Sequence, residues 1–202
     1  MPVIISSGWA KGLALKTPKG DTTRPTSARV RGAILNTLAP WLDEAMVLDL
    51  FGGSGALGIE ALSRGARGAI FIERDKLALA ALRPNVAELQ RRAKAQDLPL
   101  GPVEVVPGDV AQLVVEKGSL RRWGAFDVIF ADPPYANAAM WADVLLRSLP
   151  SITARGGILV FETALGEGAD ALLRIGPEVG WEVLKQKAYG DTMVTVLSFL
   201  GP

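Results

Sequence analysis

At 202 residues the chain is long enough to bury one substantial core, and 49% hydrophobic with 21% charged residues is the balance of a globular protein. It contains neither Cys nor His, which excludes disulfides, Cys/His zinc sites, thiolate nucleophiles and Ser-His-Asp catalysis. The net charge is only +1, yet residues 1–31 carry Lys11, Lys16, Lys19, Arg24, Arg29 and Arg31 against Asp21 alone, an uneven placement that suggests a polyanionic partner. No apolar run is long enough to cross a bilayer, and the N-terminus lacks the charged-then-apolar pattern of a signal peptide, so a cytoplasmic location is expected.

In chain order, Val3-Ile4-Ile5 and Leu13-Ala14-Leu15 read as two short strands around a turn. Thr26 or Ser27 can then cap a helix whose apolar face is Val30, Ile34 and Leu38. Arg29 and Arg31 fall off that face, toward solvent or a ligand. From Met46 onward, short apolar runs (47–51, 69–72, 103–106, 126–131 and 158–161) alternate with helical stretches rich in Ala, Leu, Arg and Glu. That alternation predicts an α/β fold with a mainly parallel sheet and helices on both faces. Pro84 interrupts the helical pattern after Asp75, and a kink or restart is expected there. The final runs, 181–187 and 193–200, are joined so closely by Tyr189-Gly190-Asp191-Thr192 that they form an antiparallel hairpin.

Ligands on such sheets bind at the carboxyl ends of the strands, so the residues closing each strand carry the argument. Asp49-Leu50-Phe51-Gly52-Gly53-Ser54-Gly55-Ala56-Leu57-Gly58 follows the first sheet strand and opens a helix. Its glycines permit a tight turn and close approach of a ligand, and the helix N-terminus favours acceptor or anionic groups. The element also satisfies the dinucleotide-binding fingerprint, so alone it does not separate a nicotinamide cofactor from S-adenosylmethionine. Glu73 closes the next strand, where an acid would take the hydroxyls of a ribose. Gly108-Asp109-Val110 closes the third, where a carboxylate could accept from an adenine amine and Val110 could lie against the ring. Asp132-Pro133-Pro134-Tyr135 ends the fourth. Two prolines hold this exit rigid and supply carbonyls without competing N–H donors, and the carboxylate and aromatic ring suit a planar group bearing an exocyclic amine. Each acid singly is as well explained by a helix cap or solvated turn. Four successive strands ending in acids are expected to face one crevice.

The Asp-x-Phe-Gly-Gly-Ser-Gly element with Glu73, Asp109 and the Asp-Pro-Pro-Tyr tetrapeptide resembles the S-adenosylmethionine-dependent amino-methyltransferases. Arg24-Pro25-Thr26-x-x-Arg29-Val30-Arg31, the segment from Gly55 to Ala66, and Tyr189-Gly190-Asp191-Thr192 narrow the resemblance to the RsmD family, the 16S rRNA guanine-N2 methyltransferases. It covers nearly the whole chain and departs before Arg24, where family members carry a more Gly- and Arg-rich opening than residues 5–12 here. The resemblance implies a Rossmann-like class I methyltransferase with a mainly parallel seven-stranded sheet. It implies a basic extension over residues 1–40 and a catalytic domain over 41–202. The cofactor would be S-adenosylmethionine, held by Asp49, Phe51, Gly52, Gly53, Ser54, Gly55, Glu73, Arg74, Gly108, Asp109 and Val110. Asp132, Pro133 and Tyr135 would act on a flipped-out guanine. Lys11, Arg24, Thr26, Arg29 and Arg31 would contact 16S rRNA, in the small subunit or an assembly intermediate. A monomer without metal or membrane partner is expected. Competing readings are a nicotinamide-dependent oxidoreductase, an adenine-N6 methyltransferase of DNA or RNA, and a non-catalytic RNA-binding ribosome assembly factor.

Overall fold

The computed structural model describes residues 3–18, 28–115, 119–134 and 137–201, with the backbone alone at Glu167. Arg24, Thr26, Ser27 and Tyr135 therefore lie outside the described residues. The chain divides into two compact units, Met1–Val110 and Ala111–Pro202.

The first unit opens with an antiparallel pair, β1 (Val3–Ile4) and β2 (Ala14–Leu15). Helices α1 (Ala28–Thr37) and α2 (Ala39–Leu42) follow. Next come β3 (Met46–Asp49), α3 (Ala56–Ser63), β4 (Gly68–Glu73), α4 (Lys76–Ala95) and β5 (Val103–Pro107). The three longer strands are parallel in the order β5-β4-β3. β3 is buried along its length and β4 up to Glu73, as expected of parallel strands covered on both faces. The expected apolar face of α1 is in place, with Val30, Ile34 and Leu38 all buried.

In this unit the restart expected at Pro84 does not occur, and the expectation for Arg31 fails. Helix α4 runs unbroken through Pro84, with no restart. Proline removes one backbone N–H and costs helix stability, but Ala81, Leu82, Val86 and Leu89 are buried on either side of it, and tertiary packing of that stripe overrides local propensity. Arg31 does not face solvent or a ligand; it is 1% exposed. Its Nη2 donates to the Ile4 carbonyl at 2.7 Å, and its Nε lies 3.5 Å from Glu60 Oε2. The candidate RNA contact is thus a buried structural pair.

In the second unit α5 (Val110–Val115) leads to β6 (Phe126–Ala131), α6 (Ala138–Ser148), β7 (Thr153–Ala164), α7 (Glu167–Ile175), β8 (Trp181–Tyr189) and β9 (Thr192–Phe199). β6 and β7 are parallel, while β9 pairs antiparallel with both β7 and β8. The expected hairpin is present, with Tyr189 opposite Thr192 and Gly190 at φ 62°. Trp181 anchors it, donating its indole N–H to the Leu146 carbonyl at 3.1 Å and packing on Phe199 at 5.1 Å between ring centroids. The chain's longer strands belong to one mixed, mainly parallel sheet of seven.

Candidate active site

The glycine-rich turn leaves β3 and enters α3, and two side chains from neighbouring elements fix its shape. Gly53 and Gly55 have φ of 53° and 83°, a region open to glycine but costly for other residues. Glu73, closing β4, accepts the Gly53 N–H through Oε2 at 2.8 Å, and its Oε1 accepts the N–H groups of Arg74 and Asp75, each at 2.8 Å. A carboxylate has about four acceptor positions, so one remains for an incoming hydroxyl. Asn85 of α4 holds the other side of the turn, donating to the Ser54 carbonyl at 2.8 Å. A methyl group built at Gly53 would meet nothing nearer than the Phe51 carbonyl at 3.8 Å. The backbone there is open to close approach by a ligand, which fits the cradle expected for an adenosyl cofactor.

Asp49 is 4% exposed, and its Oδ2 accepts the Gly58 N–H at 3.2 Å. It supports the turn from behind and satisfies one of the unpaired donors at the start of α3. Gly52 is buried, whereas Phe51, Gly53 and Ser54 are partly exposed. Gly108, after β5, donates its N–H to the Glu73 carbonyl at 2.9 Å, tying two strand ends together. Asp109 Oδ2 accepts from Arg74 Nη1 at 2.8 Å, and Val110 is buried at the start of α5. Arg74 therefore orients Asp109.

Gly58, the third glycine of the fingerprint, serves packing. A Cβ there would stand 2.4 Å from Phe71 Cε1, and Phe71 is fully buried. Gly58→Ala is expected to destabilise the protein by about 1–3 kcal/mol, seen as a lower urea midpoint at unchanged slope.

Asp132 ends β6 in the second unit. It is half-buried, Pro133 is buried and Pro134 exposed. Among the candidate RNA contacts, Lys11 and Arg29 have exposed side chains. The atypical opening serves another purpose: the Trp9 indole N–H donates to the Leu62 carbonyl at 2.9 Å. The Ala10 N–H donates to Ser63 Oγ at 2.9 Å, and that hydroxyl donates to the Ser7 carbonyl at 2.6 Å. Trp9 is thus an anchor on α3.

Two important residues escaped the sequence reading. Glu60 is fully buried in α3 and gathers Ser6, Arg31 and Arg64 around its carboxylate. Asn85 is 4% exposed and bonds both Lys16 and Ser54. The signal in each case was a polar residue set in an apolar stripe. Among the described residues, no group of three or more acids could hold a metal ion, and no helix is long and apolar enough to cross a membrane.

The glycine turn and the acid that closes β4, with the antiparallel β7-β9-β8 edge of the sheet, match a Rossmann-like methyltransferase fold. A solved structure, "Putative methyltransferase yhhF" from Escherichia coli, superposes with a TM-score of 0.78 at 27% identity, covering 100% of both chains. The chain belongs to the RsmD family, whose model, described as "Conserved hypothetical protein 95", matches residues 3–198. It is 34% identical to "Putative rRNA methyltransferase YlbH" of Bacillus subtilis over 95% of this chain and 96% of that one. It is 30% identical to "Ribosomal RNA small subunit methyltransferase D" of Escherichia coli, over 93% and 85% respectively.

Proposed function

We propose that this protein is a cytoplasmic methyltransferase that uses S-adenosylmethionine to modify the N2 amine of a guanine in 16S rRNA, within the small subunit or an assembly intermediate. The observation that carries the cofactor part of this reading is the Glu73 carboxylate clamped to the Gly53 N–H, an acid joined to a glycine turn where an adenosyl group would lie, and the family match favours methyl transfer. The likeness to the Escherichia coli relative named for the small subunit supports the choice of RNA.

Bound S-adenosylmethionine supplies an activated methyl group for in-line displacement. Glu73 takes a ribose hydroxyl with its remaining acceptor position. Asp109, held by Arg74, would accept from the adenine amine, and Val110 would lie against the ring. Phe51, Gly52, Ser54 and Gly55 line the turn, and Asp49 holds it in place. Asp132 and the Pro133 carbonyl accept the N–H bonds of the target amine and aim its lone pair at the methyl carbon. Transfer of that methyl would form the N–C bond as the C–S bond breaks. With no His in the chain, the amine proton passes to Asp132 or to water. Tyr135 stacks on the base; such stacking is worth about 1–3 kcal/mol, against a few kcal/mol for unstacking, which favours a looped or single-stranded target.

The test is incubation with undermethylated small subunits and radiolabelled cofactor, followed by mapping of the label. Label on a single 16S guanine N2 is expected. Label on adenine N6, on DNA or on protein, or no label, overturns the assignment. Lys11, Arg24, Thr26 and Arg29 are proposed to meet the RNA. Neutralising Lys11 and Arg29 together should reduce the salt slope of RNA binding by roughly 1.4, at about 0.7 per single-strand phosphate contact, and leave cofactor affinity unchanged.

A further inference from the structure

Asn85 is a buried carboxamide with both of its donor hydrogens in use. Its Nδ2 donates to the Lys16 carbonyl at 2.9 Å and to the Ser54 carbonyl at 2.8 Å, while Oδ1 accepts the Lys16 N–H at 2.8 Å. Lys16 thus commits both main-chain groups to one side chain, as it would to a neighbouring strand, and leaves its ammonium exposed. Ser54 lies between Gly53 and Gly55, two left-handed glycines in the turn that forms the candidate cofactor cradle. One polar side chain therefore joins an exposed cation in the basic N-terminal segment to that cradle.

We infer that Asn85 is a positioning residue coupling the two: cofactor in the glycine turn and polyanion at Lys16 each tighten the binding of the other. This rests on the methyltransferase reading. A ligand that presses on the turn fixes the Ser54 carbonyl, and Asn85 passes that restraint to the main chain of Lys16. A phosphate held by Lys16 restrains the turn by the same route, because coupling between two sites is reciprocal. A purely structural Asn85 would hold both segments equally in every ligation state and produce no coupling.

The test is calorimetry with S-adenosylhomocysteine and a short mixed-sequence RNA oligonucleotide, each titrated alone and in the presence of the other. In the wild type each ligand should tighten the other by the same factor, about 5- to 150-fold. Asn85→Ala should bring that factor to near one, whatever it does to either affinity alone. Hydrogen exchange on the wild type covers the case of a variant that fails to fold: the Lys16 amide should exchange more slowly with S-adenosylhomocysteine bound. An intact factor in Asn85→Ala, a wild-type factor of one, or Lys16 exchange unchanged by S-adenosylhomocysteine overturns the inference. If the wild type does not bind S-adenosylhomocysteine at all, the methyltransferase reading falls first and this inference with it.

Discussion

Asp132→Ala is expected to slow methyl transfer by about 100- to 1,000-fold, the loss typical of deleting one preorganised polar group at a reacting centre, while cofactor affinity stays at the wild-type value. The carboxylate sits on a rigid support. β6 is buried at all positions except the half-buried Asp127, Ala131 is in register with Phe161 of β7, and Pro133 fixes the chain immediately beyond. The expected effect is on rate, and a denaturant midpoint measured beside it shows whether folding is retained. Single-turnover measurement with saturating cofactor, paired with calorimetric cofactor titration, separates rate from cofactor affinity. Asp132→Asn, which keeps one acceptor for the amine but cannot take its proton, should fall between wild type and Ala. A near-normal rate in Asp132→Ala with normal cofactor binding would remove Asp132 from the mechanism.

Glu60→Gln is expected to cost about 3–5 kcal/mol of stability, because it leaves a buried arginine without its counter-charge. At roughly 2–4 °C per kcal/mol for a chain of this size, the melting temperature should fall by about 6–20 °C. Glu60 Oε1 accepts the Ser6 hydroxyl at 2.6 Å, Oε2 accepts the Ser6 N–H at 3.0 Å, and Arg64 and Arg31 complete the cluster. Burial alone would raise the Glu60 pKa, but the Ser6 hydroxyl and N–H, with Arg64 and Arg31, outweigh it and hold the group below its ordinary 4.5. A carboxylate with a depressed folded pKa contributes stability that is fully present above the unfolded value and is lost as pH falls through the folded one. Wild type and Glu60→Gln should therefore differ most at neutral pH and converge below about pH 4.5, as read from denaturant midpoints. A constant gap across that range would show that Glu60 acts through packing and not through its charge.

These residues also mark what was legible in the sequence. β6 spans the residues expected of it because two prolines punctuate its end. β7 extends over Thr153–Ala164, well beyond the apolar run 158–161; Gly156, at φ 77°, and exposed Arg155 disguise its first half. The acids after β3, β4, β5 and β6 were legible as strand closers, but their partners were not, since hydrogen bonds such as Glu73 to Gly53 and Asp109 to Arg74 join residues 20 and 35 positions apart. Arg31 illustrates the limit most clearly. It lies between Val30 and Ile34 in a stripe that continues to Leu35 and Leu38, so helical periodicity left it at the margin. Glu60, arriving from another helix, and the Ile4 carbonyl of β1 draw it inside.

The opening loop has a consequence for the order of assembly. Gly8 packs so closely that an added Cβ would lie 1.6 Å from the Ser63 carbonyl, and Ser6, Trp9, Ala10 and Lys16 find polar partners 53 to 69 positions downstream. During synthesis at about 5–20 residues per second, that separation is a wait of roughly 3–14 s before the partners on α3 and α4 exist. Lys11 and Lys16 wait through that interval on a segment without those bonds, which then docks as a latch across α3 and α4.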